Sequence, residues 1–127
     1  MDAIEAPLPE KTRAGVFLLQ TLTKRADFLI AARAARAPQP GFLLQARDRK
    51  DGSDHVRVGF TCSKKVGNAV TRNRAKRRLR ALARDVLGTE AKAGWDYVLV
   101  GRADQTVSRP MPELIKDLNR ALLKLHR

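Results

Sequence analysis

The sequence of 127 residues predicts an α+β fold, a small sheet with helices packed against it. Short stretches alternate apolar with polar residues, whereas longer ones repeat apolar residues at helical spacing. The two kinds follow one another as helix, strand, strand, helix, strand, helix. Hydrophobic residues make up 43% of the chain, enough for a domain of this length to bury a core without disulfides or metal.

Residues 1 to 20, with Pro7 and Pro9, read as an N-terminal arm whose Val16 to Leu19 cluster can dock on a single domain spanning 21–127. Leu22, Ala26, Leu29 and Ile30 share one face of a helix expected from about Thr23 to Arg36, which Pro38-Gln39-Pro40-Gly41 ends. Phe28 falls off that stripe, with Ala32 and Ala35, and is either a second core contact or an exposed aromatic. Phe42 to Asp48 and His55 to Cys62 are strand candidates. The Asp51-Gly52 turn signal between them predicts an antiparallel hairpin. Val56, Val58, Phe60 and Cys62 alternate with small or polar residues, so Cys62 reads as a small hydrophobe.

A second helix is expected from Asn68 or Val70 to Leu87, stopped by Gly88. Ala75, Leu79, Leu82, Ala83 and Val86 form its apolar stripe. Trp95 to Arg102 is the third strand candidate, with Val98 and Val100 on one face and Trp95, Tyr97 and Leu99 on the other. Pro112 opens a last helix in which Met111, Leu114, Ile115, Leu118, Leu122 and Leu125 keep the helical period.

The chain carries 26 Lys and Arg against 13 Asp and Glu, a net charge of +13 that points to nucleic acid or an anionic membrane. Membrane fits less well, because the basic helix has a narrow, Ala-diluted apolar stripe where a surface-bound helix needs a broad one. A single cysteine, Cys62, allows no intrachain disulfide and suits a reducing cytoplasm. No apolar run reaches the length of a membrane span, and the acidic N-terminus does not read as a signal peptide, so a cytoplasmic location is expected. Cys62, His55 and His126 make no metal site.

From Ser63 to Arg84 the chain reads SKKVGNAVTRNRAKRRLRALAR, nine Lys or Arg with no acidic residue. An ordinary solvated helix intersperses acids at i and i+4, because like charges on adjacent turns cost a few tenths of a kcal/mol per pair. Here that repulsion is uncompensated, which calls for a polyanionic partner. Arginine suits phosphate, since its planar fork binds two oxygens at once and stacks on bases. Few aromatics argue for contacts mainly to the backbone. Composition does not separate DNA from RNA. A strand candidate on each side of the helix excludes a helix-turn-helix.

The Lys pair, Gly-Asn turn and Arg-Asn-Arg helix start resemble the signature of the bacterial ribonuclease P protein subunit. The likeness extends to Arg57-Val58-Gly59-Phe60, to Arg25-Ala26-Asp27-Phe28 in the first helix, and to Tyr97-Val98-Leu99-Val100-Gly101-Arg102. The resemblance implies an α+β sandwich, a small mixed sheet packed with helices in the order αβββαβα with a left-handed crossover at the basic helix, so a third strand is expected near Cys62 to Val66. It implies a ribonucleoprotein that removes the 5′ leader of precursor tRNA, an endoribonuclease whose RNA subunit performs the hydrolysis with Mg²⁺ while the protein assists. The implied partners are the ribonuclease P RNA subunit and the precursor tRNA leader.

Carried over by position, Lys64, Lys65, Arg72, Asn73, Arg74, Lys76, Arg77 and Arg80 are the expected RNA-binding residues. Phe28 and Phe60 are the expected lining of the leader cleft, between the first helix and the sheet. Ala32 and Gln45 stand where some relatives carry aromatics, so charge is expected to carry more of the leader affinity here. Asp27 is expected to cap or orient the first helix. No catalytic constellation emerges from His55, His126, Asp96 or Asp104, so no catalytic residue and no metal ligand is assigned to the protein. A structural RNA-binding protein, such as a ribosomal protein, shares the charge, size and layering; only the motif separates the two.

Overall fold

The computed structural model describes residues 18–126. Five strands form one mixed sheet in the order β1-β4-β5-β3-β2, comprising β1 (Leu19–Thr21), β2 (Ala35–Pro38), β3 (Phe42–Asp48), β4 (Val56–Thr61) and β5 (Trp95–Gly101). The helices are α1 (Arg25–Arg33), α2 (Ala69–Glu90), the short α3 (Gln105–Ser108) and α4 (Met111–Leu125). Between α1 and α2 lie three strands, as the resemblance implies.

The strand beyond the two that the sequence pattern predicts is β2, directly after α1, and not the stretch from Cys62 to Val66, where a 3-10 turn spans Lys64–Val66. The first helix is correspondingly shorter than its periodicity predicts. Pro38 holds the residue before it extended, and Ala37 buries fully against β3, opposite Leu44. Of the expected N-terminal arm, residues 1–17 lie outside the described residues. Leu19 and Gln20 belong to β1, so the sheet begins inside that segment.

The expected hairpin does not form. β5 enters between β3 and β4, antiparallel to the first and parallel to the second. The reason lies in β5 itself: Asp96, Tyr97, Val98 and Leu99 are all buried, so it needs a paired strand on each side. The loop after β3 wraps around its start, with Arg49 N–H donating to Gly94 O at 3.1 Å and Gly94 N–H to His55 O at 3.2 Å. The parallel β4–β5 pair requires a long crossover, and α2 supplies it.

The main core lies between the sheet and the pair α2 and α4. Leu79, Leu82, Ala83 and Val86 of the α2 stripe are buried there, as are Leu114, Leu118 and Leu122 of α4, and Ala75 is buried as well. α2 runs past Gly88, which is buried within the helix and does not stop it. Tyr97 and Leu99 face this core, whereas Val98 and Val100 face a smaller cluster on the opposite side with Leu22, Phe28 and Ala31. α1 covers that opposite side.

The stripe expected on α1 does not face the sheet: Leu29 and Ile30 are 45% and 50% exposed. Ala31 packs instead, and an ion pair fixes the rotation. Asp27 reaches Arg57 at 3.5 Å and Arg47 at 3.9 Å on the sheet below. Both arginines also approach the fully buried Asp96, Arg57 at 2.7 Å and Arg47 at 3.7 Å, and Arg49 donates to it at 2.8 Å. Asp27 therefore orients α1 by pairing across to the sheet, and makes no capping bond.

Candidate nucleic-acid interface

Local chemistry sets the Lys pair and the basic helix at their angle. Ser63 Oγ accepts from Lys65 N at 3.3 Å to start the 3-10 turn, and the buried Val66 anchors it, leaving Lys64 and Lys65 exposed. Gly67 then adopts φ 148°, a conformation open to glycine alone, where a Cβ would lie 2.9 Å from Thr71 Cβ. Asn68 Oδ1 accepts from Thr71 N at 3.0 Å and caps α2.

With the apolar stripe against the sheet, Asn73, Arg74, Arg77, Arg80 and Arg84 are exposed, and Arg72 and Lys76 are half-exposed. Among the described residues no carboxylate pairs with any of these cations, nor with Lys64 or Lys65. Their field is therefore uncompensated on one continuous face, as a polyanion site requires. Arg78 is different. Its guanidinium donates to Thr106 O at 2.9 Å and Arg109 O at 2.7 Å, tying α2 to the segment before α4. Nothing in the run distinguished it beyond its place on the flank of the apolar stripe.

The two aromatics expected to share a cleft do not meet. Successive side chains of β4 emerge on opposite faces, so Phe60 points to the α2 side while Gly59 faces α1. Phe28 lies against Gly59 and lines an open groove of about 340 Å³ with Thr23, Arg25 and Thr61. Gln45, paired with Val98 in register, is half-buried on the α1 side, and Ala32 is exposed. Phe60 instead stands beneath Arg80, whose guanidinium carbon is 5.7 Å from the ring centroid.

A Cβ at Gly59 would come within 2.6 Å of Phe28 Cζ and 3.1 Å of Leu22 Cβ. Gly59→Ala is therefore expected to displace the Phe28 ring and destabilise the domain by about 1–3 kcal/mol, measured by urea unfolding. Wild-type stability would show that α1 is not seated on the sheet at this point.

Hydrogen bonding to Asp96 raises Arg57 above the ordinary guanidinium range. Burial pushes the Cys62 thiol up, outweighing the nearby Lys76 and Arg72, so Cys62 stays neutral and packs against the main core. His126 Nε2 lies 2.8 Å from the Tyr97 hydroxyl and His55 Nδ1 lies 2.9 Å from Gln20, so the two histidines are separately engaged. Among the described residues no group of three or more His, Cys, Asp or Glu is placed to hold a metal ion, and no helix is long and apolar enough to cross a membrane.

Residues 19–126 match the family model for ribonuclease P. A ribonuclease P protein component from Ruegeria pomeroyi is 59% identical over 109 residues, covering 85% of this chain and 87% of the relative. One from Gluconacetobacter diazotrophicus is 52% identical, covering 81% and 88%. The solved RNase P protein of Staphylococcus aureus superposes with a TM-score of 0.66 at 26% identity, covering 84% of this chain and 94% of that one.

Proposed function

The chain belongs to the ribonuclease P protein family, and from that premise we propose that it assists a catalytic RNA in removing the 5′ leader from precursor tRNA in the cytoplasm. The observation that carries this reading is the uncompensated basic face formed by Lys64, Lys65 and α2, capped by Asn68 and backed by a fully buried stripe. Lys64, Lys65, Arg72, Asn73, Arg74, Lys76, Arg77 and Arg80 grip the RNA, mostly through phosphate. The groove at Phe28, with Arg25 at its edge, takes the leader, the ring stacking on a base.

Hydrolysis is the RNA subunit's, with its Mg²⁺. No step is assigned to a metal on this chain. The protein's contribution is to neutralise backbone charge and to hold the leader, which mature tRNA lacks.

That division of labour gives a direct test. Phe28→Ala in the reconstituted ribonucleoprotein is expected to weaken precursor tRNA binding by about 1 kcal/mol, roughly fivefold, and to leave mature tRNA binding unchanged. Equal losses for the two RNAs would remove Phe28 from the leader site and make it a packing residue.

A further inference from the structure

The outward side of Phe60 opens into a second groove, across the sheet from Phe28. It runs between α2 and the edge strand β1, floored by Val58 and Phe60, walled by Gln20 and Thr21, and rimmed by Arg80 and Arg84. The geometry points to a stacking subsite in this groove for one unpaired nucleotide of the bound RNA. The assignment rests on the reading that α2 faces RNA, and adds a base contact to a face otherwise suited only to phosphate.

The groove holds about 160 Å³, room for a single base and not for a duplex. Its floor is apolar and partly aromatic, which favours the flat face of a base over a phosphate. Arg80 lies 5.7 Å above the Phe60 ring, within cation–π range, and among the described residues has no carboxylate partner. The ring restrains a side chain that would otherwise lose much rotamer freedom on gripping a ligand. Being exposed, Arg80 offers the rest of its guanidinium to a second π system, so that ring, guanidinium and base form a stack. Splayed single-stranded bases are commonly held on arginine planes in this way.

Arg84 follows one turn later, also exposed and without an acidic partner among the described residues, and supplies the phosphate contact for the same nucleotide. Arg72, Lys76, Arg80 and Arg84 are spaced four apart along one side of α2. A strand tracking that row is led into the groove. The second aromatic therefore serves the RNA held along α2, on the opposite face from the leader groove.

The test uses the full-length, isotope-labelled protein, titrated with adenosine monophosphate and, separately, with ribose 5-phosphate, and followed by NMR. Adenosine monophosphate is expected to shift the Arg80 Nε–H and the Thr21 amide, whereas ribose 5-phosphate shifts Arg84 alone. Phe60→Leu keeps an apolar side chain at the core. Arg80→Lys keeps the charge but not the plane. Each is expected to weaken adenosine monophosphate about fivefold or more and ribose 5-phosphate by less than about twofold. Identical responses to the two ligands, no response at Thr21, or an unchanged nucleotide affinity in both variants would overturn the subsite. Those outcomes leave untouched the RNA binding of α2 as read from its salt dependence. Loss of that salt dependence with a surviving nucleotide response would instead strike the RNA face and spare the groove.

Discussion

Alanine at Arg72, Lys76 and Arg80 together is expected to flatten the salt dependence of RNA binding by about 1.4 to 1.8 in log K against log salt. Each lost phosphate contact removes about 0.7 to 0.9 from that slope, and two are removed, at Arg72 and Lys76, the Arg80 guanidinium being stacked on a base. The helix is expected to survive, because these side chains have no acidic partners among the described residues and alanine is the best helix former. Removing three like charges from adjacent turns also relieves repulsion. Filter binding across a salt series, with far-UV circular dichroism as the control, measures both. An unchanged slope with intact helicity would place the RNA elsewhere on the protein.

Asp96→Asn is expected to have the largest effect on stability, a loss of about 3–5 kcal/mol. The carboxylate is fully buried, accepts from Arg49 at 2.8 Å and Arg57 at 2.7 Å, and lies 3.7 Å from Arg47. Arg49 is itself only 3% exposed at its side chain, and when Asp96 is lost it keeps only the half-exposed Asp51 at 3.1 Å, while Arg57 and Arg47 keep only the longer contacts to Asp27. Breaking one member of such a cluster leaves buried charge under-compensated, which costs far more than the intact pair contributes. For a domain whose total stability is on the order of 5–15 kcal/mol, that is a large fraction. Thermal unfolding is expected to fall by roughly 10 °C or more. A change below about 1 kcal/mol would mean that the arginines reach solvent readily and that the cluster does not pin α1 and the β3–β4 loop to the sheet.

Local periodicity reported which face of an element turns inward. The stripes of α2 and α4, and the split of β5 into a Val98–Val100 face and a Tyr97–Leu99 face, all follow from it. Period does not report which strand is the neighbour, so the Asp51-Gly52 signal suggested a hairpin where β5 intervenes. The continuous burial of β5 was the available clue, since a strand apolar on both faces belongs inside a sheet.

α1 departs from its own periodicity for a different reason. Its rotation is set by Asp27 meeting Arg47 and Arg57, residues twenty and thirty positions away, and by Phe28 fitting over Gly59. Neither contact leaves a periodic trace in the helix. The basic face was legible because charge without compensation is visible in one dimension, whereas Arg78 was not separable from its neighbours until Thr106 and Arg109 were brought to it. The pairing of Phe28 with Phe60 failed on strand parity alone: Gly59, and not Phe60, shares the face of α1, a point available from the alternation of β4.

The most direct test of the central claim is reconstitution of the purified protein with a ribonuclease P RNA at low Mg²⁺, with cleavage of precursor tRNA as the readout. Faster leader removal is expected with the wild-type protein than with RNA alone, an enhancement reduced in the Arg72, Lys76 and Arg80 variant, and no specific cleavage by the protein without RNA. A wild-type protein that binds structured RNA but gives no enhancement, or one that removes the leader by itself with RNA contamination excluded, would contradict the account.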